Sequence, residues 1–129
     1  MSSAIPSLRS LEEWERLWAR LGEPAPFCVL VFKRSPICPI SHAAEDEFAR
    51  YVAGQPERKG LQLTFVDVIN DRPVSQRIAQ DTQVRHASPQ ALLLAQGRRI
   101  LWQESHGGIN ADSLESAFGF LDGELAGKS

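Results

Sequence analysis

The stretch "RSPICPISHAAEDEF" (residues 34–48) carries one of the two cysteines of this 129-residue chain. Cys38 is followed by Pro39 and then by a pattern typical of a helix start. A thiol at a helix N-terminus meets unpaired backbone N–H groups and the positive end of the helix dipole, and both favour the nucleophilic thiolate. Where a dithiol site has its second cysteine, three positions on, this chain has Ser41. The spacing therefore predicts chemistry at a single thiol.

The neighbours of Cys38 could tune that thiol. We expect the hydroxyl of Ser41 to donate a hydrogen bond to the sulfur, which would stabilise the thiolate, although a serine cannot form a disulfide. Pro39 fixes the first turn of the helix. Lys33 and Arg34 lie just upstream in the sequence and would add positive potential.

The alternative for either cysteine is a small buried hydrophobe, because free cysteine is among the most buried residue types. Cys28 fits that alternative, since it lies inside the apolar run "FCVLVFK". If residues 28–33 are extended, they alone separate the two cysteines by roughly 16–20 Å at ~3.3 Å per residue. A disulfide needs Cα atoms within about 7 Å. We therefore expect Cys28 to be a core residue and a poor resolving thiol.

A second candidate element is "VRHASPQALLL", in which Pro89 stands directly before an apolar strand. Proline within sheets is confined to strand starts and edges. A cis Ser88–Pro89 bond would leave the backbone of Ser88 free to pair with a peptide-like substrate, and a trans, strand-opening proline is the plain alternative.

Hydrophobic periodicity predicts the elements that position these residues. The first is a helix with Ser10 as N-cap, Glu13 completing a capping box, and Gly22 at its end. The remaining elements are a buried strand over 27–33, a helix from Pro39 to near Gly54, a strand over 61–68, a helix over 73–84, two strands over 89–95 and 99–105 around the turn "QGR", and a helix over 110–125 capped by Asn110.

The resulting order, αβαβαββα, predicts an α/β domain with a four-stranded mixed sheet and helices on both faces. We expect one domain spanning residues 1–129, with residues 1–7 and 126–129 frayed. In this arrangement the loop before Pro89 returns beside Cys38, at the carboxyl ends of the parallel strands, where open α/β sheets carry their reactive groups.

Composition excludes several classes of function. The formal net charge of −2 leaves no basic excess for a nucleic-acid surface. No apolar run approaches the roughly 20 residues of a membrane span. The N-terminus has no basic segment followed by an apolar one, so we expect no secretory signal and a cytoplasmic location. Two cysteines and three histidines, without paired C-x-x-C motifs, predict no metal site.

Three separated stretches resemble a known family: "FKRSPICPISHAAEDEFARY", "VRHASPQALLL" and "QESHGGINADSL". Their order and the order of elements are similar to the thioredoxin-like superfamily. The closer resemblance is to the monothiol bacilliredoxins of the YtxJ type, whose signature resembles "TCPIS", and it covers nearly the whole chain. It implies that Cys38 attacks mixed disulfides of protein thiols with bacillithiol, that Ser41 replaces a second cysteine, and that Pro89 is a cis-proline. Ile37 departs from the threonine common at that position, which puts thiol tuning or partner fit in question.

The resemblance predicts a monothiol thiol–disulfide oxidoreductase. Its partners would be S-thiolated client proteins and bacillithiol, a co-substrate and not a tightly bound cofactor, and we expect a monomer without nucleic-acid or membrane partners. Because bacillithiol is acidic, a cationic lip is expected, with Lys33, Arg34 and Arg85 as candidates. Pro39, Ser88 and Pro89 complete the predicted substrate-binding set.

Two other functions stay open at this point. The chain could be a non-catalytic peptide-binding module with an inert cysteine, or a redox sensor in which Cys38 stores a modification. His86 and His106 flank predicted loop–strand junctions, and we assign neither a catalytic role.

Overall fold

A computed structural model of the chain describes residues 5–126. Its elements follow the predicted order. They are α1 (Leu11–Leu21), β1 (Cys28–Arg34), α2 (Pro39–Ala53), β2 (Leu61–Asp67), α3 (Arg72–Thr82), β3 (Gln90–Ala95), β4 (Arg99–Ser105), a 3₁₀ turn (His106–Gly108) and α4 (Ala111–Leu125).

The four strands form one mixed sheet in the order β2-β1-β3-β4. β1 runs parallel to β2, as a strand–helix–strand crossover requires, and antiparallel to β3. β3 and β4 form the predicted hairpin, whose turn places Gly97 and Arg98 at positive φ. The predicted fold class is therefore confirmed.

Alternation along the two central strands divides the core into two layers, because successive side chains of a strand point to opposite faces. On one face Val29 and Val31 pack with α1 and α3, and on the other Leu30 and Phe32 pack with α2 and α4. Every residue from Cys28 to Lys33 is buried, as expected for a central strand covered on both sides.

Local capping signals account for the ends of three helices. Ser10 and Glu13 form the predicted capping box of α1, and Asn110 caps α4 with Ser113. α3 ends at Thr82, two residues earlier than predicted, because Gln83 adopts a left-handed conformation (φ 61°). The sequence analysis did not predict the 3₁₀ turn after β4.

The N-terminal segment differs from the expectation of frayed residues 1–7. Ser7 forms a parallel bridge with Phe65, and Leu8 N–H donates to the carbonyl of Phe65. Residues 6–8 therefore cover part of the exposed edge of β2. The expectation for residues 1–4 and 127–129 lies outside the described residues.

Candidate active site

Cys38 lies in the turn between β1 and α2, directly before the first residue of α2. It is the N-cap residue of α2, with extended backbone angles (φ −104°, ψ 119°), and Pro39 occupies the first helical position. Its carbonyl accepts the N–H of His42 at 3.0 Å. The side chain makes no capping hydrogen bond, and the residue is partly exposed, as a reactive thiol requires.

Ser41 is fully buried one turn below Cys38. Its Oγ accepts a hydrogen bond from the backbone N–H of Ser35 at 2.8 Å. Within residues 5–126 no hydrogen bond joins Ser41 to the sulfur of Cys38, so the expected donation is not part of this geometry. Ser41 instead fixes the turn that leads into Cys38.

His42 also contacts this turn, on its solvent-exposed side. Its Nε2 lies 2.8 Å from the carbonyl oxygen of Pro36. Because a carbonyl only accepts, Nε2 carries the hydrogen and donates. The backbone before Cys38 is therefore held by Ser41 from the buried side and by His42 from the solvent side.

The Ser88–Pro89 peptide bond is cis, as the resemblance implied. Lys33 of β1 pairs with Gln90 of β3, so the residues before β3 lie at the same sheet edge as the turn after β1. Pro89 is buried, and its carbonyl accepts the N–H of His106 at 3.0 Å. Within the described chain, neither the Ser88 backbone nor its buried Oγ has a hydrogen-bond partner. The Ser88 backbone is therefore free to pair with a substrate, whereas the buried Oγ is not accessible to one.

Lys33 does not form part of a cationic lip, and that expectation was wrong. It is fully buried on the face of the sheet that packs against α1 and α3. Its Nζ donates to the carbonyl of Ser75 at 3.1 Å and lies 3.4 Å from Nδ1 of His86. Burial lowers the pKa of Lys33 to about 8, because removal from water disfavours the ammonium form.

Arg34 keeps a partly exposed position, but its charge is compensated. Its Nη1 lies 3.1 Å from a carboxylate oxygen of Glu45 on α2, and its guanidinium lies 5.3 Å from the ring centroid of Phe65. Arg85 is exposed on the loop before β3 and makes no ion pair with another described residue.

Cys28 is confirmed as a core residue. It is fully buried at the start of β1, and the pKa of its thiol is raised to about 11, first by burial and then by the charge of Glu124. Since Cys28 begins β1 and Cys38 follows its end, the whole strand separates the two thiols.

An apolar rim flanks Cys38 that was not predicted from the sequence. Ile37 is 78% exposed and Ile40 is 60% exposed, although isoleucine is usually buried. Beside Ile40, a groove of about 250 Å³ runs between α2 and the 3₁₀ turn. The signal available in the sequence was the pair of isoleucines flanking the Cys-Pro dipeptide at a site predicted to be open.

Metal-binding clusters and membrane-spanning helices are absent from residues 5–126. No group of three or more His, Cys, Asp or Glu side chains is arranged to hold a metal ion. None of the helices in that range is long and apolar enough to cross a membrane.

Comparison with known proteins places this geometry in context. The sequence model of a family described as "Monothiol bacilliredoxin BrxC" matches residues 6–114. A solved structure described as "A putative oxidoreductase with a thioredoxin fold" is 32% identical, with a TM-score of 0.71 over 88% of this chain and 93% of that chain. The thioredoxin of Malassezia sympodialis is 14% identical (TM-score 0.66, covering 96% and 93%), and that of Fasciola hepatica is also 14% identical (TM-score 0.65, covering 89% and 97%). The two thioredoxins support the fold alone.

Proposed function

The chain belongs to the monothiol bacilliredoxin BrxC family, whose fold and chemistry are those of thiol–disulfide redox proteins, and from that premise we propose that Cys38 removes bacillithiol from protein mixed disulfides. The observation that carries the proposal is one partly exposed cysteine at the start of α2, with a buried serine where a second thiol would stand. We assign the reaction to a cytoplasmic monomer.

The proposed reaction has two balanced exchange steps. The Cys38 thiolate attacks the bacillithiol sulfur of a client–bacillithiol disulfide, and the client leaves as a thiolate that takes up a proton. Cys38 then carries bacillithiol in a mixed disulfide. A second bacillithiol thiolate attacks the bacillithiol sulfur of that adduct, which yields bacillithiol disulfide and restores the Cys38 thiolate.

The absence of a usable second thiol supports resolution by an external thiol. Ser41 has no sulfur, and Cys28 is fully buried with a pKa raised to about 11, so it is protonated at neutral pH. A resolving attack by Cys28 would need the sheet to open. An external thiol needs only the open face of Cys38.

The surroundings of Cys38 suggest where each half of the substrate binds. The unpaired backbone of Ser88 and the exposed Ile37 and Ile40 suit an extended, apolar segment of a client. Lys33 is fully buried, so it cannot bind the bacillithiol carboxylates at the surface. Arg85, and Arg34 to the extent that Glu45 leaves it free, remain the proposed partners of the bacillithiol carboxylates.

Kinetics with matched cysteine variants test this function. A client carrying one bacillithiol is mixed with the protein and excess bacillithiol, and the release of reduced client is followed. We expect wild type and Cys28→Ala to turn over at similar rates, and Cys38→Ser to show only the uncatalysed rate. Equal rates for wild type and Cys38→Ser would leave a binding module as the better description.

A further inference from the structure

A buried lysine that the proposed chemistry does not use lies at the active-site edge of the sheet. Lys33 is the penultimate residue of β1 and is 0% exposed. Its Nζ donates to the carbonyl of Ser75, in the first turn of α3, at 3.1 Å. The second contact of Nζ is Nδ1 of His86, at 3.4 Å, in the loop formed by residues 83–89 (the 83–89 loop).

Among the described residues, no carboxylate forms an ion pair with this cation. None of the five ion pairs within residues 5–126 includes Lys33 or His86. The charged groups that face His86 are Lys33 from β1 and Arg72 from α3, and both are positive. From β3, the neighbouring side chain on the Lys33 face is the uncharged Gln90. A buried amine without a counter-charge costs stability, so its presence needs an explanation other than packing.

The contacts fix the state of His86. Nδ1 lies 3.4 Å from Nζ of Lys33, which can only donate, and 3.2 Å from the hydroxyl of Ser75, which can also donate. Nδ1 is therefore the acceptor, and the neutral ring carries its hydrogen on Nε2. The residue as a whole is exposed.

Side-chain contacts tie the middle of the 83–89 loop, residues 85 and 86, to the body of the protein at two points, and the ends of the loop are held separately. His86 is held by Lys33 and Ser75, and the carbonyl of Arg85 accepts a hydrogen bond from the buried amide Nε2 of Gln90 at 2.9 Å. The last two residues of the loop are Ser88 and Pro89, whose backbone lies at the edge shared with Cys38. Movement of His86 would therefore displace the segment that is proposed to receive the client.

We propose that Lys33 acts through His86 as a positioning residue for the 83–89 loop, holding it in the conformation that binds a client's mixed disulfide, and that protonation of His86 releases it. The inference rests on the proposed function. Neither residue touches the reacting sulfurs. An imidazolium would present an N–H at Nδ1 to the Lys33 ammonium and could not accept its hydrogen bond. The Lys33 contact would therefore be lost, and only the Ser75 hydroxyl, which can also accept, would still hold the ring.

The electrostatics of the cluster set the pH range of this release. Burial, and then the charges of Lys33 and Arg72, lower the pKa of His86 below its ordinary value. The neutral ring and the ordered loop therefore persist at neutral pH, and release occurs only as the pH falls through that lowered value. Removing the Lys33 charge would raise the pKa of His86 and would also remove the contact that holds the loop.

Four full-length proteins separate positioning from a general structural role: wild type, Lys33→Met, His86→Asn and His86→Phe. The amide oxygen of asparagine can accept the Lys33 hydrogen bond and does not titrate, whereas phenylalanine cannot accept it. Two readouts are compared across pH. The first is kcat and KM for a client carrying one bacillithiol. The second is the rate of Cys38 alkylation by iodoacetamide, a small reagent whose reaction does not depend on the conformation of the 83–89 loop. Long-range ¹H–¹⁵N spectra report the tautomer and pKa of His86 without any reference to activity.

The proposal expects the Nε2–H tautomer in wild type and a higher His86 pKa in Lys33→Met. In Lys33→Met and His86→Phe, KM should rise about tenfold, because one contact that supports client binding is lost. The kcat and the rate of Cys38 alkylation should stay unchanged in both variants. His86→Asn should keep the wild-type KM, and that KM should no longer rise as the pH falls.

An Nδ1–H tautomer in wild type, or an unchanged KM in both Lys33→Met and His86→Phe, would overturn the proposed role of Lys33 and His86. If wild type releases no client at all, the proposed function fails, and the tautomer still decides the Lys33–His86 contact.

Discussion

At the scale of single residues, the two cysteines have opposite environments. Cys38 is partly exposed at a helix start, whereas Cys28 is fully buried in a central strand, where burial raises its thiol pKa to about 11. Cys28→Ala should cost about 1 kcal/mol of unfolding free energy, the lower end for deletion of a buried group, and leave client turnover unchanged. Urea unfolding measures the loss of stability, and the client assay measures turnover. A loss of turnover with folding intact would give Cys28 a redox role.

Lys33 should make stability depend on pH. Its pKa is about 8 in the folded protein, against an ordinary 10.5. Below pH 8 both states hold the proton, and the folded state bears the full cost of the buried charge. Between pH 8 and 10.5 the unfolded chain keeps a proton that the folded protein has released, so the free energy of unfolding rises with pH.

Lys33→Met removes that cost and should therefore stabilise the protein. We expect a gain of up to about 3 kcal/mol at pH 7, the equivalent of the lowered pKa. The gain should shrink as the pH rises through the range from 8 to 10.5. Urea unfolding of both proteins at several pH values measures the difference. If the free energy of unfolding of the variant equals that of wild type at every pH, Lys33 does not carry a buried charge.

At the scale of elements, the start of α2 depends on the hydrogen bond between the Ser35 N–H and the Ser41 hydroxyl, 2.8 Å long. Ser41→Ala leaves that buried N–H without an acceptor and should cost about 1–3 kcal/mol. His42→Ala is the control, because it removes a bond to the Pro36 carbonyl at an exposed site, where water can replace it. Equal unfolding free energies for Ser41→Ala and wild type would contradict this role.

The sequence predicted the elements well because their signals are local. Ser10 and Glu13 mark the start of α1, and a continuous apolar run marks the buried strand β1. The end of α3 was missed because a left-handed Gln83 has no clear signature in the sequence. The burial of Lys33 was open to prediction, since it shares the parity of Val29 and Val31 in a strand predicted to be buried on both faces. Its contacts with Ser75 and His86 were not, because they join segments distant in sequence.

At the scale of the whole molecule, four segments from separate parts of the chain meet at one sheet edge. They are the turn after β1, the end of β2, the 83–89 loop and the 3₁₀ turn after β4. The exposed side chains of Ile37, in the turn after β1, and Ile40, in the first turn of α2, make this edge a suitable contact surface for a client protein.

Ile40→Ser should therefore raise KM for a client protein several-fold and leave the reaction of Cys38 with free bacillithiol disulfide unchanged. Ile100→Ser is the matched control. Ile100 is 39% exposed, but it lies near the start of β4, at the end of the sheet remote from Cys38. Equal KM values for the two variants, measured with the same client, would argue against docking at the apolar rim.

The central claim is that Cys38 alone accepts the small thiol. The direct measurement is mass spectrometry of a single turnover, in which a bacillithiolated client is mixed with the protein and no free thiol is added, so that the first product is trapped. The account predicts one bacillithiol on the peptide containing Cys38, in step with reduced client, and none in Cys38→Ala. Bacillithiol on Cys28, or a client cross-linked to Cys38 as the main product, would contradict it.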